Sequence, residues 1–155
     1  MAADPLSDVL ALLNPRSMLS ASLHAGGAWA LRFQPYPGSV IKFNAVVRGR
    51  CWLSVDGERG PIELEAGDCF LLTRSRSFVL ASDMALEPVE ARPLFTDTAG
   101  GEREVRYGSA DEVLVIGGRI DLESADAELL VDRLPPLILV RGASEEAAAI
   151  RWLLG

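Results

Sequence analysis

Over most of its length the chain alternates between short apolar runs and clusters of turn formers. From Met18 to about Leu80 the runs SMLSASLHA, AWALRFQ, IKFNAVVR, CWLSV, PIELE, CFLLT and SFVLAS are divided by GG, PYPG, RGR, DGERG, EAGD and RSR. Short β-rich runs at close, regular spacing predict an antiparallel sandwich or barrel. Residues 83–103 hold several kinds of loop former and no period, which predicts a long surface loop around one short strand. Beyond it, EVLVIGGRIDL predicts a buried strand kinked at Gly117-Gly118. SADAELLVDRLPP then predicts a short helix capped by Ser124, and LILVR a further strand.

Helical spacing appears at the two ends. Asp4 and Pro5 suit an N-cap and a first helical position, and Leu6, Val9, Leu10 and Leu13 follow at helical intervals. A helix is therefore expected over about residues 5–13. Ser144 caps a second candidate, EEAAAIRWLLG, whose acidic first turn suits the helix dipole. Ala148, Ile150, Trp152, Leu153 and Leu154 give it more apolar surface than a free end tolerates. Either it folds back onto the strands, or residues 144–154 begin a longer helix that leads elsewhere.

Composition narrows the class. A chain of 155 residues is the size of one compact domain, so residues 1–155 are read as a single unit with its strands over about 17–142. No apolar run reaches the length that crosses a bilayer, and the N-terminus MAADPLSDVL lacks the basic region of a secretory signal. A soluble, cytoplasmic protein with no membrane partner is expected. Its two cysteines, Cys51 and Cys69, read as small buried hydrophobes rather than a disulfide framework. A net charge of −7 opposes direct contact with a phosphate backbone. Any service to DNA needs another segment to touch it.

Candidate chemistry is sparse. The one histidine, His24, sits in an early strand and reads as a partly exposed position beside the Gly26-Gly27 turn. There is no phosphate-cradling glycine loop, no G-x-S-x-G elbow and no cysteine with a histidine suitably placed. No catalytic residue and no cofactor are assigned.

The glycine spacing resembles that of the cupins, whose double-stranded β-helix carries a first motif G-x5-H-x-H-x3,4-E-x6-G and a second motif G-x5-P-x-G-x2-H-x3-N. Gly38, Asn44, Val46, Arg50 and Gly57 fall on the first, and Gly67, Thr73, Ser75, Phe78 and Ser82 on the second. The glycines at 38, 57 and 67 are kept, while the ligand positions read Asn44, Val46, Arg50 and Phe78. A metal requires imidazole, thiolate or carboxylate donors, which valine and phenylalanine do not offer, so a metal-free barrel is expected.

The resemblance implies a jelly-roll barrel with Asn44 and Val46 pointing inward and Phe43, Ala45 and Val47 outward. Phe78 and Leu80 should likewise face inward. The candidate ligand pocket is therefore Asn44, Val46, Arg50, Trp52, Thr73, Phe78 and Leu80. A bulge at Gly49 would reverse the alternation, which leaves the side of Arg50, Cys51 and Trp52 open. The apolar outer face needs a cover from the N-terminal helix, the C-terminal helix or a partner subunit.

The order DPLSDVLALL, WALRF, KFNAVVRGRCWL, LEAGDCFLL, SFVLAS, VIGGRIDL and LLVDRLPPLILV resembles the N-terminal cupin domain of AraC-type transcription regulators. That resemblance implies a non-catalytic domain that senses an unknown small-molecule effector and forms a homodimer. Residues 144–154 would begin the linker helix, and a helix-turn-helix domain absent from this chain would bind DNA. Relatives commonly carry histidines where this chain has Asn44 and Phe78. The competing expectation is a stand-alone metal-free cupin, either a binding or structural module or a sugar-modifying enzyme.

Overall fold

The computed structural model describes residues 18–35, 40–97, 103–121, 129 and 131–142. Two sheets face each other. One carries seven strands in the order β12 (Leu137–Val140), β6 (Cys69–Leu72), β3 (Val40–Arg48), β11 (Val113–Asp121), β1 (Met18–Ala25), β10 (Arg103–Tyr107) and β9 (Thr96–Asp97). The other carries five, β5 (Ile62–Glu65), β4 (Arg50–Val55), β7 (Phe78–Ala81), β2 (Ala30–Phe33) and β8 (Val89–Glu90).

Alternation along the strands gives each sheet one face for a shared core. Leu23, Ala25, Val46, Phe70, Val105, Val113 and Val115 of the larger sheet pack with Leu31, Cys51, Leu53, Val55, Leu64, Phe78 and Leu80 of the smaller. The opposite face of the small sheet is apolar as well, and Ala30, Val79 and Ala81 are covered there by Met84 and Leu86. That cover comes from the stretch expected to be a long surface loop around one short strand.

The stretch from residue 83 to 103 is also more ordered than expected. It holds two short strands, β8 and β9, with a 3₁₀ turn at Arg92–Leu94 between them. β10 was not anticipated; it pairs in parallel with β1, Leu23 lying beside Val105. The expected helices over 5–13 and 144–154 lie outside the described residues. Of the helix expected after Ser124, only Leu129 and Val131 to Pro136 are described, and Leu129 and Val131 are helical.

One irregularity sets the geometry of everything after β3. Val46 pairs with Val115 and Arg48 with Leu114, so Val47 is an extra residue opposite nothing on β11. The bulge therefore falls at Val47 rather than at Gly49. Gly49 makes the corner between the sheets at φ 79°, and a Cβ there would overlap the Glu112 carbonyl oxygen. Only glycine fits both the dihedral and the space.

A second fixture holds the end of β12 to the turn between β5 and β6. The Asp68 carboxylate accepts hydrogen bonds from the Glu65 N–H at 2.9 Å, the Gly142 N–H at 2.8 Å and the Arg141 guanidinium at 2.9 Å. Burial opposes the charge, but these donors and the attraction of Arg141 outweigh it and hold the carboxyl below the usual carboxylate range.

Two outcomes are expected from these fixtures. Gly49→Ala should destabilise the fold by at least about 1 kcal/mol, read as a lower urea midpoint at unchanged slope. For Asp68, the unfolded chain binds its proton first as pH drops, because the ordinary value of 3.8 exceeds the folded one. Its contribution is thus complete above that value and fades as pH falls towards the folded one. Asp68→Ala should lower stability at neutral pH and flatten the acid limb of a melting-temperature profile; a parallel, merely shifted profile would contradict the assignment.

Candidate functional site

The inward face of the large sheet changes character along the barrel axis, and the register shows this as rows of directly opposed residues. Val46, Val115, Leu23 and Val105 form one apolar row. Next come Phe70, Asn44, Gly117, Ala21 and Arg103, and after them Leu137, Leu72, Lys42 and Arg119. The rows thus run from a dry floor to a cationic rim. From the small sheet, Phe78 is stacked on Phe33 at 4.9 Å and meets Phe70 edge-on at 5.4 Å. Phe33 in turn meets Phe95, over whose ring the Arg103 guanidinium lies at 4.7 Å.

Asn44 is the polar centre of this face. It is 7% exposed, and its amide lies over Gly117, where an added Cβ would overlap Oδ1. Its Nδ2 has no hydrogen-bond partner among the described residues. Beside it on the same pleat direction, Lys42 holds Nζ 5.8 Å from the centre of the Phe78 ring. Burial and the neighbouring Arg119 push the Lys42 ammonium down to about 8.

Of the residues expected to line the interior, Asn44, Val46, Phe78 and Leu80 are placed there. Arg50 and Trp52 are not. After the extra residue at Val47 the alternation is reversed, so Cys51, Leu53 and Val55 face the core. Arg50 is exposed beside Glu65, and Trp52 lies opposite Ala81 on the outer side. Burial pushes the inward Cys51 thiol up to about 12, which makes it an inert core group. Thr73 is buried but committed elsewhere, donating its hydroxyl to the Pro135 carbonyl at 2.7 Å and its N–H to that of Pro136 at 3.0 Å. It ties β6 to the approach of β12.

Lys42, Arg119, Gly117 and the rings of Phe33, Phe70 and Phe95 were missed from sequence. For Lys42 the signal was present, since it stands two residues before Asn44 and shares its face.

The donor set does not suit a metal. Two of the positions that carry ligands in metal-binding barrels of this spacing, Val46 and Phe78, are packed in the apolar core, and Arg50 points away. Among the described residues, no group of three or more His, Cys, Asp or Glu side chains comes together. His24 instead faces outward and lies 3.8 Å from Glu104. An open cleft of about 560 Å³ lies outside the barrel between the β5–β6 turn and Arg141. Its Asp68 is occupied by the clamp described above.

No helix among the described residues is long and apolar enough to cross a membrane. A protein provisionally named an AraC-like transcription regulator in Streptomyces lividans is 49% identical to this chain over 151 residues. One of the same name in Streptomyces antibioticus is 48% identical over 151 residues. Each alignment takes in 97% of this chain and 48% of the relative, so the chain spans about half the length of the curated relatives it matches. The model of a cupin family matches residues 4–155, and with nearly its whole length inside that match the chain belongs to the cupin family.

Proposed function

We propose that this chain is the effector-sensing and dimerisation domain of an AraC-type transcription regulator, that it is not an enzyme, and that it works without a metal. The observation that carries this reading is identity of 48–49% over nearly the whole chain to about half of two proteins named as regulators. The interior is compatible with it, because two of its polar groups, Asn44 and Cys51, suit the holding of a molecule rather than the chemistry of converting one. Asn44 is neither acid nor base, Cys51 is held as a thiol, and no imidazole enters the barrel.

In this reading DNA is bound by a separate helix-turn-helix domain, which accords with a net charge of −7 on this one. The outer face is covered by a helix over 5–13, by a helix over 144–154 or by a partner subunit, residues 144–154 begin the linker towards that domain, and the protein acts as a cytoplasmic homodimer. A ligand in the barrel shifts the balance between two arrangements of the domains, which requires that it bind one arrangement more tightly than the other.

The test uses the full-length regulator. A ligand that occupies the barrel should change operator affinity at least about fivefold, measured by fluorescence anisotropy at fixed salt, or change the dimer dissociation constant by a similar factor. Barrel occupancy that leaves both quantities flat overturns the sensing role.

A further inference from the structure

The outer face of the small sheet is closed on one half and open on the other. Met84 and Leu86 cover Ala30, Val79 and Ala81, on β2 and β7. On β4 and β5 the outward positions include Arg50, Trp52, Glu63 and Glu65, since Cys51, Leu53 and Leu64 take the inward ones. Arg50 and Glu65 are exposed and stand directly opposite each other, as do the half-buried Trp52 and Glu63. Opposite charges in that position ordinarily pair. Here they do not: among the described residues no ion pair or hydrogen bond engages the Arg50 guanidinium or the Glu63 and Glu65 carboxylates. At the far end of the same sheet the charges are satisfied within the chain, Arg32 by Asp56 at 4.0 Å and Glu90 by Gln34 at 2.9 Å. Glu63 and Glu65 also line the open cleft of about 560 Å³. The Arg141 guanidinium in its wall donates to Asp68 and to the Glu63 carbonyl, which leaves both glutamate side chains uncompensated.

A free cation beside an acidic hollow is self-complementary, because a two-fold axis between them brings the cation of each copy to the hollow of the other. We propose that two copies of this chain meet on this patch, the Arg50 guanidinium of each lying against Glu63 and Glu65 of the partner subunit, with the Trp52 indoles at the centre. This gives the proposed homodimer its contact surface and rests on that reading. A second copy fits better than a purely acidic or purely basic partner, since either of those would satisfy one sign of charge and set the other against its like. Tryptophan and arginine are also the residues that most often anchor protein interfaces. With Trp52 as its apolar centre and charges around it, the patch suits a reversible dimer rather than a permanent one.

The test is sedimentation equilibrium of the 155-residue chain at up to about 200 µM, with two charge reversals. Arg50→Glu and Glu65→Arg should each raise the dimer dissociation constant about tenfold or more, because each sets like charges against each other at both ends of the patch. Mixed in equal amounts, the two variants should form a heterodimer within about threefold of the wild-type constant, since both ion pairs are then restored. A substitution that only disturbs its own chain is not rescued by a second chain. Variants that stay monomeric when mixed overturn the proposal, and so do variants that self-associate as the wild type does. In that second case the homodimer stands and uses another face. A wild-type chain that stays monomeric throughout removes this surface and dimerisation through this domain together, and leaves effector sensing to its own test.

Discussion

A strand offers one face to the core and the other outward, and one extra residue exchanges the two. In this barrel that residue is Val47, and the chemistry of the interior depends on it. Without the bulge, the alternation that sends Asn44 and Val46 inward would carry Arg48 and Arg50 in after them. With it, both arginines are exposed, and the next strand delivers Cys51, Leu53 and Val55 to the core. An unpaired guanidinium on the apolar floor would be expensive to bury. The bulge keeps that floor dry, and Gly49 lets the chain turn at once into the facing sheet.

A dry floor beneath a charged rim governs how the interior behaves towards molecules. Charges at the boundary of a low-dielectric region interact more strongly than the same charges in water, while remaining solvated on one side. Lys42 is poised there. The Phe33, Phe70, Phe78 and Phe95 rings carry the apolar side of the boundary, with Lys42 near one end and Arg103 over the other. The enclosure therefore has direction, with a polar end and an apolar end.

Much of this was legible in the sequence where the signal is local. Strands β1 to β7 announce themselves by alternation between turn formers, and Phe78 and Leu80 go inward by simple parity. β10 is different: Arg103, Glu104 and Arg106 leave REVRY with little apolar content, and its burial comes from lying beside β1. Strands of two residues, such as β8 and β9, are shorter than any periodic signal. The side of Arg50 and Trp52 stayed open in the sequence because a bulge is a property of two strands in register, and the partner, β11, lies more than sixty residues away. Lys42 was passed over because a charged residue in a strand is ordinarily assigned to water.

Gly117 carries a consequence for how such a barrel diversifies. It is a buried position on a central strand whose missing side chain is occupied by the Asn44 amide. Every glycine codon is one base from an alanine codon. A single methyl there would displace the amide and reshape the interior while leaving the backbone register to its neighbours. Descendants of one gene can therefore drift to differently shaped interiors by one-nucleotide steps at this position.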